Sequence, residues 1–237
     1  MSTAVGPCWG VVPAAGIGSR MGRETPKQYL MLGQRTILEH SVQALLSCSF
    51  VEAVVVALHP EDTKGLQLQG LDDPRVIFTT GGDNRSDSVL AGLNVLSGRA
   101  DDDDWVLVHD AARPCVLASD IERLFDTVST TGVGGILAEP VMDTVKQADR
   151  AGRVQATLDR STLWRAQTPQ MFRFSLLQTA LEQALASSAP VTDEASAMEL
   201  AGHSVQLVAG SANNLKITVP ADISLAEFYL RSRTAQR

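Results

Sequence analysis

Pro13-Ala14-Ala15-Gly16-Ile17-Gly18-Ser19-Arg20-Met21, followed after a short gap by Thr25-Pro26-Lys27-Gln28-Tyr29, is the stretch on which the fold turns. Just before it, Trp9-Gly10-Val11-Val12 is short and apolar, the composition of a first strand buried on both faces of an α/β sheet. The glycines then fall at that strand's carboxyl end, where open α/β sheets bind their ligands. Gly16 and Gly18 carry no Cβ, so backbone N–H groups can close on phosphate oxygens in an anion-binding nest, and Arg20 and Lys27 add positive charge. Ala14, Ala15 and Ser19 complete the loop. A plain surface turn rich in Gly and Ala stands as the alternative, since short glycine motifs also occur without ligands.

Spacing excludes two better-known phosphate loops. A Walker A loop needs Lys and Ser or Thr directly after its last glycine, whereas Gly18 is followed by Ser19-Arg20. The dinucleotide fingerprint needs Gly or Ala where Met21 stands, and an acid closing the second strand. That strand, Val51–Leu58, ends in His59-Pro60.

Further apolar runs of strand length, Arg75–Thr79, Trp105–His109 and Val133–Ala138, alternate with amphipathic stretches. The pattern predicts a mostly parallel central sheet with helices on both faces, a Rossmann-like arrangement. Thr36-Ile37-Leu38-Glu39 and Ser119-Asp120-Ile121-Glu122 read as capping boxes opening helices, and Asp83 to Ser97 as a third helix burying Val89, Leu93 and Leu96. Between Val141 and Arg165 the pattern shifts to short alternating pieces around Ala151-Gly152, a β-hairpin that leaves the main sheet and needs something to pack against, a second subunit being the natural candidate. Helices at about Ser175–Ala186 and Asp193–Ala201, strands near Val205–Val208 and Leu215–Thr218, and a helix after Pro220 complete a single domain over residues 1–237 with an arm at about 141–165.

The chain has 237 residues, enough for a full core, and a net charge of −7 from 20 basic and 27 acidic side chains. That balance argues against a nucleic-acid partner but is compatible with one nucleotide held by a few placed cations. Cys8, Cys48 and Cys115 show no C-x-x-C spacing, and neither a secretory-type leader nor an apolar run of about 20 residues is present. The expectation is a soluble cytoplasmic protein with reduced thiols and no membrane contact. Asp101 to Asp104 reads as a solvated charge run.

Two more motifs lie at strand ends. Gly81-Gly82-Asp83-Asn84-Arg85-Ser86-Asp87-Ser88 follows the third strand: Gly82 admits a flat ligand, and Asp83 and Ser88 can hydrogen-bond a base or ribose, although Asp83 or Ser86 could instead cap the helix. Val106-Leu107-Val108-His109-Asp110-Ala111-Ala112-Arg113-Pro114 delivers Asp110 at a strand tip, placed to hold Mg²⁺ beside a triphosphate or to serve as an N-cap. His109 points away by strand alternation and reads as structural. Together the pieces specify nucleotidyl transfer. An attacking phosphomonoester has a second pKa of about 6 and is already dianionic, so no general base is required.

At this point the chain resembles the 2-C-methyl-D-erythritol 4-phosphate cytidylyltransferases of the non-mevalonate isoprenoid pathway. Besides the motifs quoted, Asp143-Thr144-Val145-Lys146, Gln167-Thr168-Pro169-Gln170, Thr192-Asp193-Glu194-Ala195-Ser196 and Asn214-Leu215-Lys216-Ile217-Thr218 occur in the family's order. The resemblance implies an enzyme that uses CTP and Mg²⁺ to give 4-diphosphocytidyl-2-C-methyl-D-erythritol and pyrophosphate. It implies that Arg20 and Lys27 stabilise the pentacoordinate α-phosphate, with Arg160 and Lys216 completing the catalytic set. Ala14, Ala15, Gly16, Gly18, Ser19, Gly82, Asp83 and Ser88 would hold the nucleotide, and Asp110 the metal and the acceptor. Arg113, Thr144, Arg160, Thr168 and Lys216 would bind the acceptor. In the family the arm crosses to a partner subunit, so a homodimer is implied, with Thr144 and Arg160 acting in the neighbouring site.

The arm's tip, Gln147 to Ala156, matches no family motif, and Arg150, Arg153 and Arg165 compete with Arg160 for its role. Two rival functions remain in view. A cytidylyltransferase for another polyol phosphate, such as ribitol 5-phosphate, would share the nucleotide half. A non-catalytic nucleotide-binding protein would be marked by loss of Arg20, Lys27 or Asp110, and all three are present.

Overall fold

The computed structural model describes residues 6–16 and 26–234. Strand β1 (Cys8–Ala14) is followed by a small hairpin, β2 (Met31–Leu32) and β3 (Arg35–Thr36), and by α1 (Ile37–Leu46). Thr36 caps α1 through the expected box: its Oγ1 accepts from the Glu39 N–H at 3.2 Å, and the Glu39 carboxylate accepts from the Thr36 N–H at 2.6 Å. The chain continues through β4 (Val51–Leu58), β5 (Val76–Thr80), α2 (Arg85–Leu96), β6 (Trp105–Val108), α3 (Ala118–Thr131) and β7 (Gly135–Pro140). After the arm, β8 (Lys146–Ala148) and β9 (Val154–Thr157), come β10 (Trp164–Arg173), α4 (Phe174–Ala186), α5 (Glu194–Leu200), β11 (Gln206–Ala209) and α6 (Ala221–Thr234).

The main sheet has seven strands in the order β11-β7-β10-β6-β1-β4-β5, and β10 alone runs antiparallel to its neighbours. Side-chain alternation along β1 and β4 divides the core between the two faces. Val12, Val54 and Val56 pack with Leu38, Val42 and Leu45 of α1 and Ile121, Leu124 and Val128 of α3. Val11 and Val55 pack on the other face with Val89, Leu93 and Leu96 of α2 and with α4 and α5. Helices therefore cover both faces, as the sequence predicts. The carboxyl ends of β1, β5 and β6 release Ala15-Gly16, Gly81-Gly82 and His109-Asp110 along one edge. Among the described residues no helix is long and apolar enough to cross a membrane, and all three cysteines are buried free thiols.

Four expectations are corrected. Residues 215–218 form no strand: among the described residues the Ile217 N–H donates to the Ala112 carbonyl at 2.8 Å but no strand pairs with the segment, and Asp222 of α6 accepts from the Thr218 and Val219 N–H groups. Helix α3 starts at Ala118 without a side-chain cap, so Ser119 opens no box; the neighbouring Asp120 is turned inward, where it pairs with Arg123 and accepts from the Ser211 N–H at 3.0 Å. Asp104 is not solvated but buried, accepting from Trp9 Nε1 at 2.9 Å. Neither Asp83 nor Ser86 caps α2; the N-cap is Asn84, whose N–H is held by the Asp87 carboxylate at 3.1 Å. Strand β10, which the sequence reading passed over, contains Pro169, a residue that cannot donate to a ladder, and its pairing with β7 is interrupted there, between Ala166 and Gln170.

The arm is an antiparallel hairpin with its own two-stranded sheet, and every residue of β8 and β9 is exposed. Leu93 is fully buried where α2 meets the sheet. Leu93→Ala is expected to lower the unfolding free energy by about 2–5 kcal/mol through the cavity it leaves, read as a lower urea midpoint at unchanged slope; an unaltered midpoint would show that the layer tolerates the void.

Candidate active site

The cleft forms where the three strand ends converge. It encloses about 410 Å³ and is lined by Ala14, Ala15, Gly16, Lys27, Gly82, Asp83, Arg85, Ser88, Asp110 and Lys216, among others. Glycine is required at 81 by close approach: a Cβ there would lie 2.7 Å from both the Ala15 Cβ and the Ser88 Oγ. Ser88 Oγ in turn accepts from the Gly82 N–H at 3.1 Å, fixing the Gly-Gly turn to α2. Lys27 sits on a short 3₁₀ turn and donates to the Ile217 carbonyl at 2.9 Å, beside Lys216.

A second recess of about 170 Å³ adjoins the cleft and is lined by Arg85, Asp110, Arg113, Thr168, Gln170 and Lys216, with four neighbours. Arg85, Asp110 and Lys216 thus belong to both walls. Asp110 Oδ1 is 2.8 Å from Arg85 Nε, and Oδ2 is 2.8 Å from Lys216 Nζ. Arg113 donates through Nη1 to the Asn214 carbonyl at 2.7 Å, while its buried Nε stands 3.6 Å from Asp110 Oδ2 without a hydrogen-bond partner among the described residues. Burial alone would raise the Asp110 pKa; Arg85, Lys216 and Arg113 outweigh it and hold the carboxyl far below the usual range. Burial likewise opposes the Arg85 charge, but Glu194 and Asp110 keep it firmly protonated. Glu194 accepts both Arg85 Nη groups, at 2.6 and 2.9 Å.

Thr168 Oγ1 fixes the Asp110 backbone. It accepts from the Asp110 N–H at 3.0 Å and lies 3.0 Å from His109 Nδ1. Nε2 of the fully buried His109 lies 3.1 Å from the Arg113 carbonyl, which can only accept, so Nε2 carries the proton and Nδ1 accepts from Thr168. Asn214 Nδ2 donates to the Thr168 carbonyl at 2.8 Å, tying β10 to the segment that carries Lys216.

Of the residues singled out from sequence, Ala14, Ala15, Gly16, Lys27, Gly82, Asp83, Ser88, Asp110 and Lys216 line the cleft, and Arg113 and Thr168 join Asp110 and Lys216 in the recess. Gly18, Ser19 and Arg20 lie outside the described residues. Thr144 and Arg160 are exposed on the arm and line neither cavity; Arg160 Nη1 donates to the Met142 carbonyl at 2.5 Å, and its rival Arg165 pairs with Glu139 at 2.6 Å. Arg85 and Glu194 were not singled out. The Gly-Gly-x-x-Arg spacing was the available signal for Arg85, while the burial of Glu194 has no sequence signature.

Among the described residues no three His, Cys, Asp or Glu side chains converge as a metal-binding group. A carboxylate offers about four lone-pair sites, and three cations already face those of Asp110. A divalent ion at this cleft would therefore have to draw most of its ligands from phosphate oxygens and water, with at most one lone pair left to it on Asp110.

The family model for 2-C-methyl-D-erythritol 4-phosphate cytidylyltransferase matches residues 8–232. The chain is 48% identical over 238 residues to the enzyme of that name from Pseudomonas entomophila, covering 100% of both chains. A crystal structure of a 4-diphosphocytidyl-2C-methyl-D-erythritol synthase superposes with a TM-score of 0.82 at 38% identity, over 95% of this chain and 99% of the other. The Francisella tularensis cytidylyltransferase does so at 0.80 and 34% identity, over 94% and 99%.

Burial lowers the His109 pKa to about 4 from its ordinary 6.5. The folded protein keeps the imidazole neutral in that interval while the unfolded chain protonates it, so the stabilisation is complete above pH 6.5 and is lost as pH falls toward 4. The loss amounts to about 3 kcal/mol. Urea unfolding of the wild type and His109→Gln across that window should give a stability difference that shrinks by this amount on acidification; a pH-independent difference would remove His109 from the acid response.

Proposed function

Because the chain belongs to the 2-C-methyl-D-erythritol 4-phosphate cytidylyltransferase family, we infer that it transfers the cytidylyl group of CTP to 2-C-methyl-D-erythritol 4-phosphate and releases pyrophosphate. It is a nucleotidyltransferase serving isoprenoid precursor synthesis. The observation that carries the site assignment is the meeting of two recesses, about 410 and 170 Å³, on one wall of Arg85, Asp110 and Lys216. The larger takes the nucleotide and the smaller the polyol phosphate, so donor and acceptor face each other across that wall.

The acceptor phosphate attacks the α-phosphorus in line. One new P–O bond forms, the bridging bond to the β-phosphate breaks, and the electron pair leaves with pyrophosphate. The dianionic nucleophile needs no base, so catalysis rests on position and on positive charge where the pentacoordinate phosphorus accumulates negative charge. Lys27, beside the segment that bears Lys216, supplies that charge with Arg20. Ala14, Ala15, Gly16, Gly18, Ser19, Gly82, Asp83 and Ser88 seat the nucleotide. Arg113, Thr168, Lys216 and Asp110, which line the smaller recess, seat the acceptor. Asp110 would be the protein ligand of a Mg²⁺ ion carried by the triphosphate, and that ion would supply charge neutralisation at the leaving pyrophosphate.

The active species is a homodimer in the cytoplasm. Exposed Met142, Val154, Leu158 and Trp164 give the arm an apolar surface to bury against a partner, and Thr144 and Arg160 line neither cavity of their own chain. Each arm therefore completes the neighbour's site. The buried free thiols accord with a reducing compartment.

Pyrophosphate release with Mg²⁺ is expected only for CTP paired with 2-C-methyl-D-erythritol 4-phosphate; release with ribitol 5-phosphate would move the assignment to that acceptor. Lys27→Ala should lower kcat by about 10²-fold or more. Mixing and re-equilibrating Lys27→Ala with Arg160→Ala should restore about a quarter of wild-type activity, because a mixed dimer regains one intact site. Absence of any recovery, with subunit exchange shown by mass, would place Arg160 in its own subunit's site, and wild-type turnover by Arg160→Ala alone would remove it from the mechanism.

A further inference from the structure

Glu194 takes no part in the mechanism above, yet it is the most deeply buried acid at the site, 1% exposed. It is the first residue of α5, and three hydrogen bonds fix that helix start. The Asp193 side chain accepts from the Ser196 N–H at 3.0 Å. Gln170 of β10 donates to Asp193 Oδ2 and accepts from the Ala195 N–H, both at 2.9 Å. The carboxylate is thereby anchored to the strand that also carries Thr168.

From that anchor Glu194 receives both Nη groups of Arg85, whose remaining edge, Nε, reaches Asp110 at 2.8 Å. A planar guanidinium held on two edges by two carboxylates has its orientation fixed. Charge counts as well: Arg85, Arg113 and Lys216 contribute +3 against −2 from Asp110 and Glu194, leaving +1. Without the Glu194 charge the cluster would stand at +2, which on its own favours an anionic phosphate, so the expected loss comes from orientation: Arg85 loses the contact that fixes its plane at the wall shared by the two recesses.

We propose that Glu194 is a positioning residue for the transfer: it fixes Arg85, and through Arg85 the Asp110 carboxylate, so that the smaller recess keeps the shape that seats the polyol phosphate. The inference rests on the functional reading above.

The test is steady-state kinetics of full-length Glu194→Gln with CTP and 2-C-methyl-D-erythritol 4-phosphate varied separately, beside the wild type and with melting temperatures recorded. The KM for the acceptor should rise about tenfold or more while that for CTP moves by less than about threefold, and Glu194→Asp, which keeps the charge, should recover part of the loss. Arg85→Lys provides a second reading should the glutamine variant fold poorly. Its single ammonium cannot bridge both carboxylates, and the same selective rise is expected. An unchanged acceptor KM in folded variants, or equal changes for both substrates, overturns the assignment of Glu194 while leaving the activity in place. A wild type without turnover overturns both.

Discussion

The structure is organised around a buried carboxylate that must remain charged. Asp110 emerges at the carboxyl end of β6 with 6% of its surface exposed, and its ionised state depends on Arg85, Lys216 and Arg113. Desolvating such a group is costly unless its partners are in place, and removing one partner of a buried pair typically costs about 3–5 kcal/mol. The three cations come from the start of α2, the turn after β6 and the segment before α6, so distant parts of the chain must close together before the carboxylate is satisfied.

That requirement accounts for details that otherwise look unrelated. The interrupted pairing of β10 leaves Thr168 out of the ladder with β7 and turns its hydroxyl to the Asp110 N–H. Asn214 holds residue 168 against the segment carrying Lys216, and Lys27 is hydrogen-bonded to that same segment. Lys27, assigned to the nucleotide, and Arg113 and Lys216, assigned to the acceptor, are therefore parts of one hydrogen-bonded unit, which suits a reaction carried by positioning and electrostatics.

The sheet strands and the helices that cover them were legible because buried parallel strands read as apolar runs and helices repeat at their own period. β4 falls where Val51–Leu58 predicts it, and the Thr36–Glu39 box opens α1. β10 was missed because its one antiparallel run breaks at Pro169, which resembles a loop in sequence. Residues 215–218 mislead in the opposite sense: Leu215 and Ile217 alternate as a strand would, but the face they fill belongs to α6 and Leu32. In the site, glycines and strand-end charges were visible through their spacing. Glu194 was not, because an acid at a helix start is an ordinary first-turn residue until the Arg85 fork is seen across the cleft.

The arm leaves the sheet after Pro140 and returns at Trp164, and those two residues lie opposite each other in the β7–β10 pair. The Val141 N–H donates to the Leu163 carbonyl at 3.0 Å, closing the neck. The hairpin is thus a side excursion whose two ends already touch, and the entropy of closing such a loop grows only logarithmically with its length. Residues beyond the neck can lengthen, shorten or be rewritten over evolutionary time without shifting the register of the sheet or the placement of Thr168. Sequence drift there alters what the molecule touches, while drift at the neck alters whether the sheet assembles.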